Sequence, residues 1–371
     1  DMLVGGALTS ATLTETEDPQ FLFAGAKIPA LDVYNPALTA IPDAEKVEMA
    51  LALEKKALSA DPRISTDGCA VIYSSGTRRI VNSKGLDVSF RANAMGAYVS
   101  CVAREGERAG SAYRVAMSRA GAPDFDKLAR EASGEALDFL AASPVTSGSF
   151  PMVLRASAAL DLLAAFAGAF SADEAQRGLS KLAGREGDAV AAPILTLMDD
   201  PLNPLGFAAA PFDGEGVPAR AKKIIDGGRL TTLMHNLKTA AKAGVTSTGN
   251  AARGYSSPIA VAPTNFYFEP SDEPLSALLT RAEGGLLITE LMGLHSGANA
   301  VSGDFSLSAK GYRIEGGKRG APVDQITVAG NFYEFLHEVL AVGDDLTFGQ
   351  PGGSCFGSPS LMVKKLSVAG K

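Results

Sequence analysis

The chain has 371 residues, 46% hydrophobic and 20% charged, which is material for sizeable cores and too long for one ordinary domain, so two domains are expected. Forty glycines, twenty prolines and no tryptophan argue against an all-helical protein and for many turns between short strands. The net charge of −7, without a dense run of Lys and Arg, argues against a direct nucleic-acid footprint. Cys69, Cys101 and Cys355 are odd in number and far apart, which does not make a disulfide framework and fits a reducing, cytoplasmic setting. The most apolar stretch, residues 162–170, falls well short of the roughly 20 residues a spanning helix needs, so no membrane partner is expected.

In chain order, residues 1–29 show no clear periodicity and read as the remnant of a longer or processed chain. Residues 41–60 place Val47, Ala50, Leu51 and Leu58 at helical spacing after Ile41-Pro42-Asp43, the pattern of an amphipathic helix covering a sheet. Four β-prone runs follow at residues 70–73, 79–81, 86–90 and 97–102, predicting an antiparallel meander. A second helix is predicted from Pro123-Asp124 to about Leu140, burying Phe125, Leu128, Ala132, Ala136, Leu137 and Phe139.

The Ser-, Gly- and Pro-rich residues 142–150 are the expected boundary, giving domains at 1–145 and 146–371. Beyond it, Met152-Val153-Leu154 reads as a strand, and Leu160, Leu163, Ala167 and Phe170 form one face of a helix. Short strands are predicted at 194–198, 229–233, 265–268, 285–290, 311–315, 324–328 and 360–368, separated by Gly and Pro turns. The fold class is therefore α+β: an α+β N-terminal layer domain, incomplete at its start, followed by a β-rich, barrel-like C-terminal domain.

A series of strings in the second half is more specific. They are Pro211-Phe212-Asp213-Gly214-Glu215-Gly216-Val217, Ser247-Thr248-Gly249-Asn250, Pro263-Thr264-Asn265, Leu291-Met292-Gly293, Val301-Ser302-Gly303-Asp304-Phe305-Ser306, Gly311-Tyr312, Ile326-Thr327-Val328-Ala329-Gly330-Asn331 and Val342-Gly343-Asp344-Asp345, with Asn82-Ser83-Lys84-Gly85 upstream. Each alone is what tight turns between strands require. Together, in this order, they resemble the TldD/PmbA family, also known as modulators of DNA gyrase, over most of the chain from about Leu31. The resemblance implies the α+β and β-rich architecture just read from the residues.

TldD-type members resemble zinc peptidases in which one helix carries His-Glu-x-x-x-His, two imidazoles holding the metal and the Glu activating its water. The resemblance places that helix near residues 160–170. Here residues 156–170 contain neither His nor Glu, and their only ionisable side chain is Asp161. The remaining candidates are dispersed. His337-Glu338 lacks a second His, and Cys355, near where zinc-bearing relatives place a ligand, stands alone in a glycine loop. No Gly-x-Ser-x-Gly elbow sits between strand and helix, and no phosphate-binding loop is present.

The resemblance thus implies a PmbA/TldE-like subunit that is non-catalytic and holds no cofactor, zinc residing in a TldD-like partner, or else a homodimer, with unstructured peptides as substrates. Met292, Gly293, His295, Asn299, Ser302, Gly303 and Asp304 are the expected lining of a shared chamber. Two alternatives stand beside this: a metallopeptidase acting alone through His295, Cys355 and a carboxylate such as Asp304, and an indirect modulator of DNA gyrase acting through turnover of a regulator.

Overall fold

The computed structural model describes residues 2–13, 21–254 and 256–371. Helix α1 (Met2–Leu13) buries no side chain; it falls in the segment that showed no periodicity. The short helix α2 (Pro36–Ala40) starts at Asn35, whose side chain accepts from the Ala37 N–H, and the longer α3 (Asp43–Leu58) follows. Then come β1 (Ile64–Val81), β2 (Asp87–Glu105) and β3 (Arg108–Ser118), an antiparallel sheet in the order β1-β2-β3. This is the predicted meander, but the four short runs fuse in pairs into β1 and β2. Strand β3, built largely of Ala, Gly and Ser, carries too little β propensity to read from sequence.

The face that α3 buries differs from the one its large apolar residues mark. Leu53 and Ala57 are buried, whereas Val47, Leu51 and Leu58 are exposed, because the side carrying Leu53 and Ala57, one turn apart, is the one packed on the sheet and on helix α4 (Phe125–Asp138). Helix α4 begins where Asp124 accepts a hydrogen bond from the Lys127 N–H at 2.9 Å, the cap that a Pro-Asp start promises. It buries Leu128, Ala132 and Ala136 as predicted, with Phe139 just beyond its end. Gly110 of β3 is obligatory here: a Cβ at that position would collide with the Ala136 carbonyl.

The second half opens with β4 (Gly148–Leu154) and helix α5 (Ala156–Phe166). Small strands β5 (Leu197–Asp199), β6 (Lys222–Asp226), β7 (Arg229–Leu230), β8 (Ala251–Ala252), β9 (Ala260–Val261) and β10 (Asn265–Phe268) follow. Longer ones come next: β11 (Leu286–Met292), β12 (Asp304–Glu315) and β13 (Lys318–Asn331), then β14 (Val339–Val342), β15 (Thr347–Phe348), β16 (Cys355–Ser358) and β17 (Leu361–Ala369).

Strands β13-β12-β11-β4-β17 are neighbours in that order, and β13 pairs again with β17, from Thr327↔Ala369 to Ala329↔Ser367. The ring closes as a five-stranded barrel with β14 appended to β17, which removes free edges from five of its strands. The expected barrel-like domain is thus a closed barrel. A second sheet runs β15-β16-β10-β5-β6-β7.

Helix α5 lies between the two sheets' cores. Ala158, Ala159, Leu162, Leu163 and Phe166 are buried in one cluster with Met152, Ile288, Leu307 and Val328, and the Phe166 ring stacks on Phe332 with centroids 4.5 Å apart. A smaller cluster joins Phe139, at the end of α4, to Val153, Leu287, Tyr312 and Met362 of the barrel. The two halves therefore share apolar packing. Among the described residues, no helix is long and apolar enough to cross a membrane.

Candidate functional site

Helix α5 turns one side away from that core. Ser157, Leu160, Asp161 and Ala164 lie on it and line a cleft of about 1740 Å³. Residues 113–118 of β3 form one wall and residues 345–350, which include β15, another. Both strands are the last in their sheets, so two strand edges border the cleft.

On β3 the Ser111 carbonyl accepts from Lys310 Nζ at 2.9 Å and the Tyr113 carbonyl from an Arg114 guanidinium nitrogen at 2.8 Å. Residues of one parity on a strand send both N–H and C=O to the same edge, so Val115 and Met117 present theirs to the cleft. Among the described residues, no backbone hydrogen bond reaches 115–118 outside the ladder with β2.

The floor is heavily charged and almost entirely self-neutralised. Glu135, buried on α4, sits between the guanidinium groups of Arg114 and Arg155, the latter at 3.1 Å. Arg155 also donates to Ser157 Oγ at 3.0 Å and to the Thr289 carbonyl at 3.1 Å. Burial lowers the pKa of both arginines, that of Arg114 to about 10, yet both remain charged near neutrality. Asp138 accepts from the Tyr312 hydroxyl at 3.0 Å and pairs with Arg319 at 3.2 Å. Glu290 pairs with Lys310 at 2.7 Å.

Three further carboxyls lining the cleft are also held. Glu131 lies 3.8 Å from Arg114, Asp124 caps α4 and Asp345 accepts from both the backbone N–H and the hydroxyl of Ser360. Asp161 is different. Among the described residues no hydrogen bond or ion pair reaches its carboxyl, and burial, reinforced by the nearby Glu290, pushes its pKa up to about 6.

The metal question can be put to the donors. Among the described residues, the lining of the cleft includes no histidine and no cysteine, and α5 offers it only Ser157 and Asp161 as polar side chains. Among the described residues no three His, Cys, Asp or Glu side chains gather where they could hold a metal ion. Of the three histidines, His295 and His337 are exposed and His235 is buried, its backbone clamped by Thr248 at 2.6 Å. Cys355 is buried on β16 with Sγ 3.6 Å from the Gly349 carbonyl, and burial raises its pKa, the opposite of what a thiolate ligand needs. These residues do not fit a bound zinc ion.

The seven residues expected to line a chamber form one local knot at 292–304. Met292 ends β11, Gly293 (φ +78) opens a single helical turn holding His295, and Asn299 accepts from the Val301 and Ser302 N–H groups at 3.0 and 3.1 Å. Gly303, at φ +85, packs against Tyr333. Asn331 donates to the Ser302 carbonyl at 2.9 Å and to Asp304 at 2.8 Å, and the latter bond, followed by one from the Ser302 side chain, lowers the Asp304 pKa. None of the seven lines the cleft, which takes Thr289, Glu290 and Leu291 from the strand entering this knot.

Several of the strings that carried the resemblance meet around one carboxylate that the strings do not include. Asp199 is fully buried and accepts from Lys222 Nζ at 2.7 Å, Asn250 Nδ2 at 2.6 Å, and the N–H and hydroxyl of Thr264, both at 2.7 Å. Asp213, in the first string, accepts from the Glu215, Val217 and Ala251 N–H groups.

Comparison with known proteins places this architecture. The model described as the PmbA/TldA metallopeptidase C-terminal domain matches residues 147–370, and the corresponding central-domain model matches residues 36–140. The chain belongs to the PmbA/TldD family. Metalloprotease PmbA of Escherichia coli O157:H7 is 30% identical over 349 residues, covering 92% of this chain and 73% of that protein. The PmbA homologue of Haemophilus influenzae is 28% identical over 350 residues with the same coverage.

Among solved structures, a putative modulator of DNA gyrase from Thermotoga maritima superposes with a TM-score of 0.87 at 32% identity, covering 94% of this chain and 80% of that one. TldE from Thermococcus kodakarensis gives 0.89 at 24% identity, over 98% and 82%, a likeness of fold. Against this PmbA/TldD frame, the sequence missed the cleft's real furniture. Arg114 and Glu135 carry no motif, and their pairing becomes visible only once β3 and α4 are in place.

Proposed function

We propose that this PmbA/TldD-family chain is a non-catalytic subunit that holds an extended, unstructured peptide, in complex with a TldD-like chain carrying zinc or, failing such a partner, with a second copy of itself. The observation carrying the reading is that α5, the helix where the family resemblance expects metal ligands, faces a large cleft with no imidazole or thiol. Two strand edges beside that helix support peptide holding, since an added strand gains backbone hydrogen bonds with little demand on sequence. Three unpaired cysteines are consistent with a reducing, cytoplasmic setting. The segment 292–304 remains our candidate for a surface close to the partner.

Metal content by inductively coupled plasma mass spectrometry, together with cleavage of an unstructured peptide, tests the reading. The expected result is no stoichiometric zinc, no cleavage by the chain alone, and cleavage when a TldD-like chain is added that exceeds what that chain achieves by itself. Stoichiometric zinc with peptidase activity in the isolated chain would overturn it and direct attention to His295, Cys355 and Asp304.

A further inference from the structure

Among the described residues, seven carboxyl side chains line the cleft, and six are committed to partners: Glu135 to two arginines, Asp138 to Tyr312 and Arg319, Glu290 to Lys310, Glu131 to Arg114, Asp124 to a helix cap and Asp345 to Ser360. Asp161 has none among the described residues. It stands on the cleft face of α5 between Leu160 and Ala164, with the apolar Leu346, Phe348 and Phe356 also in the lining. A carboxyl drawn partly out of water without a partner is costly. Elsewhere in this cleft the chain has answered that cost with a counter-charge or an N–H or O–H donor.

We propose that Asp161 is a cation subsite, receiving the ammonium or guanidinium group of a peptide lying along the open edge of β3. This rests on the peptide-holding reading and adds a preference to it. Backbone pairing with Val115 and Met117 would be indifferent to sequence, whereas Asp161 would favour a basic residue, or a free amino terminus, at one place along the strand. Because the pairing is a charge-assisted contact in a partly dry site, removing it costs roughly tenfold in affinity.

The test is fluorescence anisotropy with the full chain at pH 7.5, using labelled ten-residue peptides of Gly, Ser, Ala and Val that contain one lysine. Matched peptides carry norleucine in place of lysine, each with a free or an acetylated amino terminus. The expected result is that a cationic peptide binds about five- to tenfold tighter than its uncharged match, and that Asp161→Asn removes the difference without changing affinity for the acetylated norleucine peptide.

Acetylation separates the two sources of the charge: loss on acetylation assigns the subsite to the amino terminus, and loss on norleucine substitution assigns it to the side chain. Equal affinity for all four peptides would overturn the subsite while leaving peptide holding intact. So would an equal fall for all four in the variant. If Asp161→Asn instead weakened only association with a TldD-like chain, the cation would belong to the partner and the proposal would be wrong. Failure of any peptide to bind overturns this inference and the peptide-holding reading together.

Discussion

Asp161 makes a prediction that needs no ligand. Its carboxyl titrates near 6 in the fold against an ordinary 3.8, through burial and the charge of Glu290 on β11, which is itself paired with Lys310 of β12. Between those two values the folded chain holds more protons than the unfolded one, so this group's contribution to stability falls as pH rises through that window. Above pH 6 the full penalty is present. Two units correspond to about 3 kcal/mol, and partial solvation reduces this to about 1–3 kcal/mol. Asp161→Asn is therefore expected to raise the melting temperature at pH 7.5 and to lose that advantage near pH 4, as read by differential scanning fluorimetry across pH. A variant less stable than the parent at pH 7.5 would show that Asp161 has a partner in the fold. Sequence showed that this aspartate was the lone ionisable residue of 156–170, but not that it was unpartnered, because its solitude depends on β11, β15 and α4 coming to the same cleft.

At the scale of elements, the readable parts were those whose chemistry is local. Helix α4 announced its cap and its buried face; β10 matched its predicted span of 265–268. Strand β3 was missed, and with it the edge that gives the cleft its character, since Ala, Gly and Ser serve turns and strands alike. Helix α3 was found with the wrong face inward because Leu53 and Ala57, rather than Val47, Leu51 and Leu58, meet the sheet and α4. The β3 edge carries its own test. If Val115 and Met117 pair with an added strand, methylating alternate peptide nitrogens in one parity should weaken binding roughly tenfold or more, as two or three backbone hydrogen bonds are lost. Methylation in the other parity should leave binding nearly intact. Isothermal titration with the two methylated series decides it, and equal losses in both would place the peptide elsewhere.

At the scale of the whole molecule, the N-terminal layer and the barrel are joined by the Phe139–Tyr312 cluster, by the contacts of Asp138 with Tyr312 and Arg319 and of Lys310 with the Ser111 carbonyl, and by the buried charge of Glu135. Glu135 comes from α4, Arg114 from β3 and Arg155 from the residue before α5, so removing the carboxylate leaves two half-buried guanidinium groups facing each other across the junction. Breaking a buried ion pair in this way costs about 3–5 kcal/mol, and here the loss falls on the contact between the halves more than on either core. Glu135→Ala is therefore expected to lower the first melting temperature and to turn one calorimetric transition into two, the earlier belonging to the N-terminal layer. Glu135→Gln keeps the shape and the hydrogen-bond acceptor without the charge, so it should fall between. A single transition shifted down intact in Glu135→Ala would mean that the packing of Phe139, Val153 and Tyr312, with the Asp138 and Lys310 contacts, couples the halves without help from Glu135. In that case the arginines would be free to serve the cleft, and the same variant should then alter peptide affinity more than stability.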